Sequence, residues 1–99
     1  MQDEILSFIF VLYMSVKEKL IKRFLNIPKD FTYDETVKLL NAFGFYEVQK
    51  GKTSGSRVMF ANDNKRVIQF HKPHPGNILK PYQMLYIKEK LIEYKLMEG

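Results

Sequence analysis

The chain has 99 residues, enough for one domain with a single modest core. Its hydrophobic fraction of 45% and charged fraction of 27% are those of a soluble globular chain. Without cysteine it has neither disulfides nor thiolate chemistry, which fits a reducing cytoplasm. Its pI near 9.4 favours anionic partners.

The first apolar run, Ile5 to Tyr13, is interrupted only by Ser7. It is well short of the ~20 residues that a membrane span requires. A secretory signal would open with positive charge, whereas Asp3 and Glu4 open this one, and no small-residue cleavage site follows. The run reads as a greasy helix packing on the domain or a neighbour, or as a leader. Met14-Ser15 resembles a second translation start, so residues 1–13 are expected to be dispensable. On charge alone a membrane surface is a rival partner, served by this run and the basic helix behind it.

Val16, Leu20, Ile21, Phe24 and Leu25 then fall at helical spacing among Lys17, Glu18, Lys19, Lys22 and Arg23. Pro28 ends that helix, since its ring restricts Ile27 and it has no amide proton to donate. Residues 1–27 form an N-terminal helical extension in this reading, and residues 28–99 the domain proper. Thr32-Tyr33-Asp34-Glu35 is a capping box that opens a helix over roughly 33–43, with Val37, Leu40 and Phe43 as its stripe. Gly44 suits the left-handed position at its end.

Three short strands are predicted next. In Phe45 to Lys50, Tyr46 and Val48 share one face and Glu47 and Gln49 the other. In Ser56 to Ala61, Val58 and Phe60 point inward. In Arg66 to His71, Ile68 and Phe70 do so. Gly51 to Gly55 and Asn62 to Lys65 are the turns between them. Because a one-residue slip would send every side chain to the wrong face, Val58 and Phe60 must lie beside Phe70 and Ile68. Arg57 then stands directly opposite His71, with Gln69 on the same outward face. A last helix opens at Pro81, its stripe Met84, Ile87, Leu91 and Tyr94 widened by Leu85 and Ile92. The expected fold is α+β in the order α-α-β-β-β-α, with helices on one face of a three-stranded antiparallel sheet.

The charge is localised. Between Tyr46 and Lys80 lie Lys50, Lys52, Arg57, Lys65, Arg66, Lys72 and Lys80 against Glu47 and Asp63, a surplus of five equal to that of the whole chain. Such clustering suggests a polyanion, for which phosphate neutralisation supplies most non-specific affinity. Both histidines, His71 and His74, lie in this window. A metal is not expected at His71-x-x-His74, because Asp63 is the only acid nearby and no closed ligand set is visible. Gly51-Lys52-Thr53-Ser54-Gly55 lacks the ending and the following helix of a phosphate loop, so it reads as a hairpin connection. Tyr46, Tyr82 and Tyr86 carry rings that can stack bases or simply fill the core and rim.

The Lys-Gly-x-x-x-Gly-Ser run at 50–56, the two strands after it, the histidine at the strand end and His74-Pro75-Gly76-Asn77-Ile78-Leu79-Lys80-Pro81 together resemble the HicA toxins of type II toxin–antitoxin pairs. The resemblance covers about Phe31 to Leu96. It implies a fold like double-stranded-RNA-binding domains, endonucleolytic cleavage of messenger RNA without a cofactor, and neutralisation by a HicB-type antitoxin. It also exposes a departure. The family carries a histidine, held to be catalytic, directly after the Gly-Ser pair, and here that position is Arg57. Arginine stays protonated and cannot act as a base, but its planar fork can bind a phosphate bidentately and stabilise transition-state charge. Proton transfer then falls to His71 or His74, because histidine is the side-chain type suited to it near neutral pH. The bland alternatives are a strand-end histidine and a polar residue in a proline-stiffened loop. Lys50, Lys52, Ser56, Arg57, Lys72 and Lys80 are the expected RNA-binding residues. Ser56 either orients a phosphate or serves as ordinary turn chemistry. If no proton-transfer group is in place, the same fold would grip RNA or the antitoxin without cutting.

Overall fold

The computed structural model describes residues 17–48 and 57–97. Ile5 to Tyr13, Val16, Gln49, Lys50, the Gly51 to Gly55 connection and Ser56 lie outside the described residues. Helix α1 covers 17–25 in its described part. It is followed by α2 (Tyr33–Ala42), β1 (Tyr46–Glu47), β2 (Arg57–Ala61), β3 (Val67–His71) and α3 (Pro81–Glu93). This is the expected α-α-β-β-β-α order around an antiparallel sheet with strand order β1-β2-β3.

Helix α1 closes where its last amides turn back three residues, Asn26 N to Arg23 O and Ile27 N to Phe24 O, just before Pro28. Its Phe24 is fully buried and tilts against Phe31 at 5.4 Å between ring centroids, so the core draws on a residue N-terminal to Pro28. Leu25, expected on the apolar stripe, is exposed. The capping box forms as its spacing requires. Glu35 N donates to Thr32 Oγ1 at 3.1 Å and Thr32 N to Glu35 Oε1 at 3.0 Å. Arg23 adds a fork onto the same carboxylate, Nε to Oε2 at 2.8 Å and Nη2 to Oε1 at 3.2 Å, and reaches Asp30 at 3.1 Å. These Arg23 bonds, with help from the Thr32 amide, hold the Glu35 carboxyl down at about 2.

The buried face of α2 is Tyr33, Thr36, Leu39 and Leu40 rather than Val37, Leu40 and Phe43, two of which are only partly buried. Thr36 fits inside because its hydroxyl donates to the Thr32 carbonyl at 2.9 Å, leaving no unpaired polar group. The helix ends in a Schellman motif. Gly44 takes φ +88°, its amide donates to Asn41 O, and Phe45 N donates to Leu40 O at 2.8 Å.

The hairpin of β2 and β3 has the register that the apolar pattern demands: Val58 opposite Phe70, Phe60 opposite Ile68 and Arg57 opposite His71. Its turn is built by Asn62, whose Oδ1 accepts from Asn64 N and Arg66 N, with Lys65 at φ +63°. Strand β1 is shorter than predicted, and the Tyr46/Val48 face is the solvent side, at 60% and 42% exposure. Glu47 pairs with inward-facing Phe60, which fixes the opposite parity for Tyr46, while Phe45, released by the Schellman turn, is the buried anchor.

Inside the domain Phe60 stacks on Phe70 at 5.9 Å, Tyr33 meets Phe70 edge-on at 6.3 Å, and Phe45 stacks on Tyr94 at 6.1 Å. Met84, Ile87 and Leu91 of α3 close the core over the sheet. Leu85, predicted to widen that stripe, is 52% exposed, and Gln83 is buried in its place. The loop between β3 and α3 is tied to the start of α2 by Tyr33 N to Asn77 O and Leu79 N to Phe31 O, with Leu79 buried. No described helix is long and apolar enough to cross a membrane.

Candidate nucleic-acid interface

The site begins with the parity of β2. Met59 O accepts from Val48 N, so the odd-numbered residues of this strand turn their backbone toward β1 and away from β3. Arg57 and His71 therefore form a pair of the non-hydrogen-bonded kind, in which facing side chains approach most closely, with Cβ atoms roughly 4.5–5.5 Å apart. Both side chains are exposed, and both stand on the face opposite Phe60, Ile68 and Phe70. Gln69 lies on that face one step along β3.

The same parity leaves the backbone of Val67 and His71 facing away from β2, and α3 uses both carbonyls. Gln83 Nε2 donates to His71 O at 2.8 Å, and Tyr94 Oη donates to Val67 O at 2.7 Å. Gln83 also accepts, through Oε1, the amide of Lys80 at 3.0 Å. One buried amide thus joins the end of β3 to the start of α3 and fixes His71 relative to Lys80. The spacing that would have revealed it is a glutamine two residues after Pro81, the acceptor half of a capping box.

Between α3 and the sheet edge lies an open pocket of about 350 Å³, lined by Arg57, Gln69, Phe70, His71, Tyr82, Gln83 and Tyr86. Phe70, Tyr82 and Tyr86 give it three aromatic rings, with Arg57 and His71 on the strand side. A phosphate entering here meets a bidentate donor and a proton-transfer group on adjacent strands, beside rings able to hold a planar group.

The other expected residues divide. His74 is exposed in the loop, three residues beyond His71. Lys80 is exposed at the mouth of α3, joined to the His71 strand end through Gln83. Lys72 points elsewhere: its ammonium lies over the Tyr33 ring, 5.0 Å from the centroid, on the helix side of the sheet. Tyr33 donates to Glu47 Oε1 at 3.3 Å, and burial, with Glu47 adding to it, pushes its hydroxyl up to about 12. Lys65 and Arg66 sit at the far end of the hairpin, where Arg66 covers the Tyr94 ring at 5.4 Å. The charge surplus read from the sequence is therefore spread over both ends and both sides of the sheet. Lys50, Lys52 and Ser56 are outside the described residues. No group of three or more metal-ligating side chains comes together among the described residues.

A family model described as the HicA toxin of bacterial toxin–antitoxin matches residues 33–91. The match runs from the first residue of α2 almost to the end of α3, so it spans the whole pocket and leaves α1 outside. No curated protein and no solved structure matches the chain.

Proposed function

The chain belongs to the HicA family of toxins, and from that membership and its site we propose an endoribonuclease that cuts messenger RNA by metal-independent chemistry in the cytoplasm. A HicB-type antitoxin would silence it by covering the Arg57–His71 face. The observation that carries this reading is the pairing of Arg57 with His71 on the outward face, at the mouth of the pocket. Arg57 grips the scissile phosphate through its fork and offsets the charge that builds on it. His71 takes the proton of the 2′-hydroxyl as that oxygen attacks phosphorus. His74 is the candidate for returning a proton to the leaving 5′ oxygen, and Lys80 adds positive charge on the helix side. Lys50, Lys52, Ser56 and Lys72 complete the proposed RNA contacts, Lys72 at the periphery because of its place over Tyr33.

The test is incubation of the purified chain with unstructured RNA, beside His71→Ala. Cleavage by the wild type and its loss in the variant are expected. A second reading is favoured by one residue, Arg57, which stands where the family carries histidine: a module that holds RNA or antitoxin without cutting. RNA bound but left intact by the wild type would select it.

A further inference from the structure

The outer flank of α3 repeats at a spacing of four, as Tyr82, Tyr86, Lys90 and Tyr94. Neighbours so spaced lie one above another on a helix face, which drifts about 40° round the axis at each step. Two bonds fix where that face runs: Tyr94 is held at Val67 O, and Gln83, next to Tyr82, at His71 O. The stripe therefore follows the edge of β3 for its whole length, in the opposite direction. Its first half walls the pocket that holds Arg57 and His71. Its second half brings Lys90 and Arg66 to the Tyr94 ring, and Lys90 Nζ also pairs with Glu93 Oε2 at 3.3 Å. Lys90 Nζ lies 5.8 Å from the Tyr86 centroid and 5.9 Å from that of Tyr94, and Arg66 caps the Tyr94 ring.

The packing of α3 does not need Tyr82, which is 65% exposed while Met84, Ile87 and Leu91 fill the core. An open ring beside a phosphate-binding guanidinium has the makings of a stacking platform, because every base has a π face and cations can follow the backbone. A volume of about 350 Å³ is at the small end for a ligand pocket and suits one unpaired base with its sugar. A base inside a duplex cannot offer its face to such a wall.

We propose that this seam is a track for single-stranded RNA. Tyr82 stacks the nucleobase next to the phosphate held by Arg57, Tyr86 backs it, and Lys90 with Arg66 takes phosphates further along. From Tyr82 to Tyr94 the helix rises about 18 Å, the span of a few unstacked nucleotides. The inference rests on the RNA reading above and adds to it a substrate form, unpaired, and a base subsite.

Fluorescence anisotropy on the full chain with 2′-O-methyl oligonucleotides, which lack the attacking hydroxyl, isolates binding from cleavage. Tyr82→Ala should weaken an intact single strand by about 5- to 150-fold, and Tyr82→Phe should restore it. An abasic residue scanned along the strand should weaken the wild type at one position by a similar factor and add nothing to Tyr82→Ala. Lys90→Ala should weaken longer strands and leave a dinucleotide unaffected. Unchanged affinity in Tyr82→Ala, equal binding of intact and abasic strands, or tighter binding of duplex than of single strand would each overturn the track while leaving the nuclease reading standing. A wild-type chain that binds no RNA at all would overturn both.

Discussion

In the proposed mechanism Arg57 and His71 divide phosphate binding and proton transfer between them, and the division makes their substitutions distinguishable. Arg57 has a fork that fits a phosphate but no proton to exchange near neutral pH. His71, on the adjacent strand, has the opposite strengths. His71→Ala should lower cleavage by roughly 10²–10⁴-fold, the usual contribution of general acid–base catalysis, with RNA affinity nearly intact. Arg57→Lys should weaken binding and cleavage together, because a lysine keeps the charge and loses the fork. Arg57→His discriminates most sharply. If His71 moves the proton, this variant loses activity along with the phosphate clamp. A variant with equal or higher activity would instead make position 57 the base, and His71 secondary. Single-turnover cleavage alongside equilibrium binding separates these outcomes.

At the scale of elements, two side chains tie helix ends to their neighbours. Glu35 caps α2 and receives the Arg23 fork from α1, so one carboxylate closes two helices together. Its folded value, about 2, lies below its ordinary 4.5, so the stabilisation is complete above about 4.5 and disappears as pH falls toward 2. Glu35→Gln keeps an acceptor for the Thr32 amide and loses the charge that Arg23 forks, so it should cost about 0.5–1 kcal/mol at neutral pH, the range of a partly exposed ion pair. Urea titrations of wild type and variant should converge as pH is lowered through that window. A gap independent of pH would place the effect in packing. Gln83 makes the corresponding junction between β3 and α3. Gln83→Leu removes the partner of both His71 O and Lys80 N and should destabilise by about 1–3 kcal/mol, also lowering cleavage by loosening the strand end that carries His71. A variant with wild-type stability and activity would show that water replaces the amide. Thr32, Glu35 and Gly44 announced their helix ends in the sequence because cap chemistry is local and residue-specific. The hairpin register was equally legible, since alternation allows one solution when one face is buried. Gln83 and Leu85 were not, because helical spacing locates a stripe but cannot tell which of two neighbouring flanks meets the sheet. The end of α3 was hidden for another reason: Lys95 takes φ +61° in a Schellman turn that sequence reading assigns to glycine. Of the site, the Arg57–His71 pair was visible from register. The convergence of Tyr82 and Tyr86 upon it was not, since it depends on how α3 lies along β3.

For the molecule as a whole, the question is how much of the surplus charge acts together. In the sequence the cations form one window, but folding sends Lys72 to the Tyr33 ring and Lys65 with Arg66 to the far end of the hairpin. Arg57 and Lys80 remain near His71, joined to the remote cations by the flank of α3. Binding that neutralises phosphates releases counterions, so affinity should fall linearly with salt on logarithmic axes, and each contact removed should reduce the slope by about one unit. The fold assigns different slopes to different residues. Arg57→Ala should lower the slope by about one unit. Lys72→Ala, at the periphery, should lower it by less. Arg66→Ala should behave like Arg57→Ala on strands long enough to reach it and like wild type on a dinucleotide. An antitoxin seated on the Arg57–His71 face should compete with RNA and associate faster at low salt, because its charge must complement the same surface. Equal slopes for Arg57→Ala and Lys72→Ala would mean that RNA wraps both sides of the sheet. A flat salt dependence in the wild type would remove phosphate binding as the basis of recognition and leave the face to a protein partner alone.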